Sequence, residues 1–407
     1  MSARKPALGF IFVTLFLDIL GVGLIIPILP KLIEQLSGGN VSAASHTFGW
    51  LASLYSLMQF GFAPVLGSLS DRFGRRAVIL TSLLGSGLDY LLLAFAPSLP
   101  WFFLGRIIAG ITGANITAAN AYIADVSPPE KRAANFGMVA AAFGLGFIAG
   151  PALGGVLGHI SLRLPFLVAA GLTLLNWLYG MFVLPESLPV EQRRAFDWKR
   201  ANPIGSFVAL RRHSELLGLT ETYFLISLAH QVFPATWVLY TTYRYEWTPK
   251  EVGLSLALVG LMAAIVQGGL ARKIIPKLGE RRSIIVGLSN ATVFLALYGL
   301  ASQGWMIYGL LVIGSFGGIA MPALQGLVSR CVPLNEQGAV QGALASLASL
   351  AGILGPLLAT GLFGYFINDK APIYLPGAAF FASSLLVLFG LLLALRAFKK
   401  TTPAATG

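Results

Sequence analysis

Long apolar segments alternate with short polar breaks along the whole chain. Each segment has roughly 20 residues or more, the length at which a helix crosses the hydrocarbon core of a bilayer. We expect helices throughout, because hydrocarbon offers no partner to unpaired backbone groups. The pattern predicts an all-α membrane protein with twelve transmembrane helices, at residues 7–30, 46–69, 77–96, 99–124, 133–158, 164–184, 216–242, 252–271, 283–301, 304–328, 338–365 and 373–396.

The composition agrees with this pattern. Of the 407 residues, 56% are hydrophobic and only 11% are charged, whereas soluble domains carry about 25% charged residues. An ordinary soluble enzyme is therefore excluded, and we expect no enzymatic activity. A single cysteine rules out a disulfide framework, and the four histidines lack the spacing of metal ligands, so no metal site is expected.

The net charge of +12 reflects where the basic residues lie. With the N-terminus placed in the cytoplasm, twenty-two Lys and Arg residues fall in the inner loops and termini and five in the outer loops. This bias predicts that both termini are cytoplasmic. It also explains the basic character of the chain without a nucleic-acid partner.

Three short segments recur at an offset of 205 residues, on either side of the longest loop. They are Phe73-Gly74-Arg75-Arg76 with Leu278-Gly279-Glu280-Arg281, Ala149-Gly150-Pro151 with Leu354-Gly355-Pro356, and Glu130–Gly137 with Asn335–Gly342. Two tandem repeats with an even number of spans run parallel. We therefore predict an N-terminal six-helix half (1–184), a cytoplasmic linker (185–215) and a C-terminal six-helix half (216–407), with a substrate site at the bilayer midplane between the halves.

Two signatures carry a family resemblance. The junction of spans 2 and 3, Gly67-Ser-Leu-Ser-Asp71-Arg72-Phe-Gly74-Arg75-Arg76, resembles the loop signature of the major facilitator superfamily. Span 5 contains Gly144-x-Gly146-x-x-x-Gly150-Pro151-Ala-Leu-Gly154-Gly155, which resembles the antiporter signature of proton-coupled drug exporters in that superfamily. Its small residues permit close helix contact, and helix packing without a role in coupling is the alternative.

Further segments are similar to the tetracycline–metal/proton antiporters. They are Asp18-Ile-Leu-Gly-Val-Gly-Leu-Ile-Ile-Pro27, Gly105-Arg106-Ile-Ile-Ala-Gly-Ile-Thr-Gly113, Ala121-Tyr-Ile-Ala-Asp125 and Leu278-Gly279-Glu280-Arg281-Arg282. The resemblance implies a monomeric secondary transporter of the bacterial inner membrane that exports small amphipathic, partly aromatic compounds by alternating access. Protons would be exchanged for the substrate, and the proton gradient would supply the energy without a cofactor.

Ionisable residues inside the spans are the candidates for proton coupling, because a charge at the bilayer centre costs about 2.5–3.5 kcal/mol on insertion scales. Asp18, Asp89 and Arg106 are the three in the first half. Asp18 is predicted to lie roughly 18 Å from the outer end of span 1. A short turn joins spans 3 and 4, so Asp89 and Arg106 are expected to pair. The resemblance implies the same coupling role, and a static structural network is the alternative.

Two further groups complete the predicted site. The resemblance assigns conformational roles to motif residues Gly67, Asp71, Arg72, Gly74, Arg75, Arg76, Asp125, Gly146, Gly150, Pro151 and Gly154. Polar and aromatic residues inside the spans are predicted to line the substrate cavity, with bonding or packing between helices as the alternative. These are Gln59, Asn115, Asn120, Gln231, Phe233, Trp237, Gln267 and Asn290.

The second half departs from the resembled antiporters at two positions. Those exporters have a His at the position of Ala263 and an Asp at that of Ala291. We therefore expect no buried titratable residue at the level of a central site in the second half, and we expect that metal–tetracycline complexes are not the main substrate. A tetracycline exporter proper, a facilitator or importer of a metabolite without proton coupling, and a membrane receptor built on a transporter fold are the alternatives.

Overall fold

The computed structural model describes residues 8–113, 116–196, 217–332 and 337–400. Regular structure in these ranges is helical, as the apolar segments predict. The helices are α1 (Leu8–Ile25), α2 (Leu29–Leu36), α3 (Val41–Phe73), α4 (Arg75–Phe95), α5 (Leu99–Thr112), α6 (Ile116–Val126), α7 (Pro129–Ile160), α8 (Leu164–Val183), α9 (Leu217–His230), α10 (Val232–Tyr245), α11 (Pro249–Ala263), α12 (Ala271–Leu278), α13 (Glu280–Leu300), α14 (Gly304–Gly314), α15 (Ala320–Arg330), α16 (Gln337–Phe366) and α17 (Ala378–Lys400). A π-helical segment, Ala264–Leu270, joins α11 to α12, and 3₁₀ turns lie at Val190–Gln192 and Ser315–Ile319.

Ten helical segments of the described chain are long and apolar enough to cross a membrane. The two other predicted spans are also helical. Span 2 is α3, whose 33 residues include many serines and glycines that lower its hydropathy. Span 7 is interrupted at Gln231, which leaves α9 and α10 with 14 residues each. The protein is therefore an integral membrane protein whose regular structure is helical in the described residues, and each of the twelve predicted spans is helical over most of its described part.

Besides span 7, three spans of the described chain contain irregular turns that the apolar pattern does not predict. Span 1 ends α1 before Pro27 and resumes as α2, because proline cannot donate a backbone hydrogen bond. Span 8 contains the π-helical segment and span 10 the 3₁₀ turn. The last two face each other, since a Cβ added to Gly318 would lie 3.0 Å from Gln267 Nε2. Such interruptions occur often at functional sites.

The described helices belong to two compact units. Unit 1 comprises Met1–Gly39, Leu54–Pro203 and Thr248–Gly260, and unit 2 comprises Asn40–Ser53, Ile204–Trp247 and Leu261–Gly407. Each unit thus contains most of one sequence half and one helix end from the other.

Close backbone contact between α1 and α7 forms the centre of unit 1. The span 5 glycines Gly146, Gly150 and Gly154 are spaced four residues apart and therefore share one helical face. A Cβ on Gly150 would lie 2.7 Å from Gly23 Cα, and a Cβ on Gly23 would lie 2.9 Å from Pro151 Cδ. The predicted close packing of the span 5 signature is thus directed at span 1.

Aromatic side chains form a cluster inside unit 2. Phe233, Trp237 and Tyr240 of α10 pack against Tyr298 of α13 and Phe380 of α17, with ring centroids 4.9–6.2 Å apart. Edge-to-face pairs of this kind contribute beyond their buried area. This cluster therefore forms part of the packed interior of unit 2.

Candidate functional site

Unit 1 brings the three predicted coupling residues into one neighbourhood. Asp18 of α1 lies within electrostatic range of two tyrosines, Tyr55 of α3 and Tyr90 of α4. The guanidinium carbon of Arg106 on α5 lies 6.0 Å from the centroid of the Tyr55 ring. Asp89 lies beside Tyr90 on α4 and acts electrostatically on it. Four helices thus bring their polar groups together inside an apolar bundle.

Asp89 is buried, with 1% of its surface exposed. Its Oδ1 has no hydrogen-bond partner and faces Gly105, on which a Cβ would lie 2.8 Å away. Arg106 interacts with this carboxylate at long range, but the described residues contain no contact ion pair between the two. The predicted direct pairing is therefore wrong for this structure. Adjacent helical residues project about 100° apart, so Gly105 faces Asp89 while Arg106 points towards Tyr55.

The two tyrosines are members of this group that sequence reasoning missed. Tyr55 precedes Gln59 by four residues, and Gln59 Nε2 lies 3.4 Å from the Tyr55 hydroxyl and 3.5 Å from the Gly113 carbonyl oxygen. The Tyr90 hydroxyl lies against Gly21, where a Cβ would be 2.8 Å away. Spacing of four residues between polar groups on one span was the available signal for Tyr55.

The remaining predicted cavity residues lie in several places. Asn120 is partly buried on α6, and Asn115 lies outside the described residues. Gln231, at the break in span 7, lies against Gly355. Gln267 is exposed in the π-helical segment. The prediction that these residues line a cavity stays a prediction.

Asn290 and the two aromatic candidates are held within unit 2. Asn290 Nδ2 donates to the Ile313 carbonyl oxygen at 3.4 Å, while its Oδ1 is buried without a partner. Phe233 is partly buried, but Trp237 is 0% exposed inside the aromatic cluster. The burial of Trp237 among these rings favours the packing alternative, and its cavity role stays a prediction.

The junction of α3 and α4 contains most of the predicted conformational motif. Gly74 joins the helices with φ +98°, a backbone conformation that favours glycine. The Glu186 carboxylate then accepts from the first backbone N–H groups of α4, those of Arg75 (2.9 Å) and Arg76 (3.3 Å). A carboxylate at this position satisfies groups that lack an intrahelical partner.

Arg75 connects the motif carboxylates. Its Nη1 pairs with Asp71 and donates to Ser70 Oγ at 2.6 Å, and its Nε donates to Asp125 Oδ2 at 3.2 Å. Ser187 Oγ donates to the same Asp125 oxygen at 3.0 Å. The structure therefore brings Asp71, Arg75 and Asp125 together, as members of one hydrogen-bonded network.

The other motif residues lie around this network. Arg76 Nη2 donates to the Met181 carbonyl oxygen at 2.7 Å. Arg72 is exposed and its guanidinium carbon lies 5.0 Å from the Phe73 ring centroid. A Cβ on Gly67 would lie 3.2 Å from Thr117 Cγ2, so this glycine permits a close approach of α3 to α6.

Two functional candidates were not predicted. Glu186 follows span 6, and no local sequence pattern connects it with Gly74, more than a hundred residues earlier. His230 is the last residue of α9, in the middle of span 7. Because its side chain is exposed, it leaves the expectation of no buried titratable residue at the central level of the second half as a prediction, and its position within the span was readable from the sequence.

The described residues contain no group of three or more His, Cys, Asp or Glu side chains that could hold a metal ion. The group around Asp18, Asp89 and Arg106 contains carboxylates, a guanidinium, tyrosine hydroxyls and the amide of Gln59. Such groups can exchange protons and bind polar parts of an organic molecule.

The family description that matches the chain is the Major Facilitator Superfamily, over residues 11–356 and 276–406. The chain belongs to this superfamily of membrane transporters. Within it, the chain is 44% identical to the tetracycline resistance protein of class C from Escherichia coli, over 88% of this chain and 89% of that protein. It is 41% identical to the class D protein from Salmonella ordonez over 99% of both chains.

A solved structure supports the fold. The crystal structure of the human organic anion transporter MFSD10 (TETRAN) has a TM-score of 0.69 and 27% identity, with coverage of 95% of this chain and 98% of that one. The sequence resemblance to the superfamily and to its tetracycline exporters is thus confirmed, as is the twelve-helix fold of two six-helix parallel repeats.

Proposed function

We propose that this protein exports small amphipathic, partly aromatic compounds in exchange for protons. The observation that carries the proposal is the group formed by Asp18, Asp89 and Arg106 inside unit 1. Ionisable groups are costly within a membrane and mark ion or substrate pathways. Asp18 and Asp89 are the groups that accept and release the proton. Arg106 acts on their carboxylates through its positive charge.

The remaining parts of the proposal follow from the family and the charge pattern. The proton gradient supplies the energy, and no cofactor takes part. The protein works as a monomer in the bacterial inner membrane, with both termini in the cytoplasm. Alternating access results from rocking of the two halves around a central site.

Asp18→Asn provides the test. The substitution preserves the shape of the side chain and removes only the titrating group, and it lowers rather than raises the cost of insertion. We expect the variant to fold, to bind substrate and to lose transport driven by a pH gradient. The measurement is uptake of ethidium and of tetracycline with Mg²⁺ into inverted proteoliposomes, with an imposed pH gradient.

Glu221→Gln is the matched control, because Glu221 is an exposed carboxylate near the start of α9. It should keep its gradient-driven flux. Undiminished gradient-driven flux in Asp18→Asn would remove the proton-carrier role from Asp18. Wild-type flux that ignores the gradient would support a facilitator instead.

Tetracycline is the second candidate substrate, because the relatives reported above are named tetracycline resistance proteins. Ala263 and Ala291 argue against its metal complex as the main substrate, since both positions are uncharged. Ala291 lies against Gly317, whose Cβ would be 3.1 Å from the Ala291 Cβ. Neutral or weakly cationic hydrophobic molecules, held by apolar contact and a few hydrogen bonds, suit this chemistry better. The ethidium and tetracycline arms of the same assay compare the two classes.

A further inference from the structure

His230 places an imidazole in the middle of a membrane span. The helices α9 and α10 have 14 residues each, on either side of Gln231, and His230 is the last residue of α9. At 1.5 Å per residue, roughly 20 Å of helix extends in each direction. An ionisable side chain at this depth is a functional candidate by default.

Polar groups on the same helical face lead to this imidazole. Tyr223, Ser227 and His230 are spaced four and three residues apart, so they share one face of α9. Tyr223 and Ser227 are buried, with 6% and 7% of their surface exposed. Gln325 of α15 lies with its Nε2 3.4 Å from the Tyr223 hydroxyl. This polar line ends at His230, whose side chain is exposed.

Within the described residues, the ring nitrogens of His230 have no hydrogen bond or ion pair. The helices packed against α9 are α10, α15, α16 and α17. Their described parts contain no carboxylate. The titratable and charged groups on those helices are Tyr240, Tyr243, Arg244, Tyr245, Arg330, Tyr365, Arg396 and Lys399, and α9 itself adds Glu221 and Tyr223.

The absence of a carboxylate among these neighbours distinguishes His230 from a structural histidine held in a salt bridge. An exposed imidazole without a fixed partner can gain and lose a proton without breaking a network of the fold. Imidazole is also the side chain whose ordinary titration falls within the physiological range of pH.

We propose that His230 is a proton-binding residue of unit 2 and that its protonation opposes substrate binding. This inference rests on the proposed exchange of protons for substrate. A ring nitrogen takes a proton from water through its lone pair, which gives the imidazolium. Binding of a cationic or apolar aromatic compound displaces the proton, which returns to water, because imidazolium repels a cation and resists burial under an apolar surface.

The first experiment observes the imidazole directly. Full-length protein with ¹⁵N-labelled histidine in nanodiscs is titrated by NMR from pH 5 to pH 8, and His230→Gln assigns the resonance. We expect His230 to titrate within this range and saturating ethidium or tetracycline to move its midpoint to lower pH. A resonance that stays neutral throughout, or a midpoint that neither compound moves, overturns the proposal.

The second experiment measures the proton that binding displaces. Ethidium affinity of the wild type should fall with decreasing pH, by up to about tenfold per pH unit for each displaced proton. The His230→Gln variant should bind ethidium as the protein with a neutral His230 does. The pH dependence of its ethidium affinity should correspond to up to one displaced proton fewer than that of the wild type. His46→Gln is the matched control, since His46 is an exposed histidine near the start of α3.

An unchanged pH dependence in His230→Gln contradicts the role. The proposed function fails separately. If wild-type ethidium or tetracycline flux ignores the pH gradient while His230 still titrates and responds to ligand, then proton-coupled export is wrong and the proton site in unit 2 stands.

Discussion

The junction between α3 and α4 and the junction between α12 and α13 occupy corresponding positions in the two sequence repeats. Each is entered through a glycine with positive φ, Gly74 at +98° and Gly279 at +80°. Behind the first glycine, Arg75 pairs with Asp125 at 3.2 Å. At an offset of 205 residues, Glu280 pairs with Arg330 at 3.1 Å. The repeats have kept the place of an ion pair and reversed its polarity.

The surroundings of the two pairs differ. The Arg75 side chain is 10% exposed and also contacts Asp71, and Glu186 bonds to its backbone N–H. In the second junction the Glu280 side chain is similarly buried, at 13% exposed, but its partner Arg330 is 78% exposed, against 24% for Asp125. The reversed polarity indicates that this position accepts a residue of either charge when the ion pair has only two members. In unit 1 the additional carboxylates fix the sign.

Exchange of the charges within each pair should separate the junctions most strongly. Arg75→Glu with Asp125→Arg places a new carboxylate beside Asp71 and Glu186, and we expect a loss of about 3 kcal/mol or more in the free energy of unfolding. Glu280→Arg with Arg330→Glu keeps a pair with one exposed member, since the Arg330 side chain is 78% exposed and the Glu280 side chain 13%, and we expect a smaller loss, of about 1 kcal/mol. Thermal and denaturant unfolding in detergent measure both double variants.

A single substitution at Arg75 serves as a control for the charge exchange in unit 1. Arg75→Lys keeps the charge but removes the planar fork that reaches two partners, so it should cost less than the double exchange. Equal losses in the two units would mean that the extra carboxylates around Arg75 do not determine its polarity.

Substitution of the two junction glycines compares the same junctions through a smaller expected change in the free energy of unfolding. Both φ values lie in a region that strains any residue with a Cβ, at about 1–3 kcal/mol. Gly279→Ala should cost only this strain, because no atom lies within 4 Å of the added Cβ. Gly74→Ala should cost more, because its Cβ would collide with the Glu186 carboxylate and displace it from the start of α4. The unfolding free energies of the two variants test this difference. A Gly279→Ala variant as destabilised as the Gly74→Ala variant would contradict the argument.

The sequence predicts the helices and the repeat more completely than it predicts contacts. Hydrophobic periodicity locates all twelve spans, because bilayer thickness sets their length. It does not predict the π-helical segment Ala264–Leu270 or the 3₁₀ turn Ser315–Ile319, since their hydrogen bonding depends on the neighbouring helices. The composition of the spans gives no sign of either turn.

The candidate site shows the same division. Asp18, Asp89 and Arg106 are readable as rare ionisable residues in apolar spans. The predicted direct pairing of Asp89 with Arg106 is wrong. The sequence indicates that both residues lie at the same depth in the membrane, but depth does not specify the direction in which a side chain points around its helix. For Trp237 the sequence left cavity lining and packing open, and only the structure shows that its face meets other rings.

Substitutions of Glu186 are expected to have the smallest effect on the free energy of unfolding among these tests of the unit 1 junction. Its carboxylate accepts from the Arg75 N–H and also lies 3.8 Å from an Arg193 nitrogen. Glu186→Ala removes a helix cap, which should cost about 1 kcal/mol. Glu186→Gln keeps an oxygen for the N–H groups and should cost less, because the Arg193 pair is partly exposed and exposed pairs contribute little. Glu191→Gln, at an exposed carboxylate in the Val190–Gln192 turn, should leave the unfolding free energy unchanged. If Glu186→Gln instead costs as much as Glu186→Ala, then the charge rather than the cap connects this segment to α4, and the polarity of the unit 1 junction depends on Glu186 as well as on Asp71.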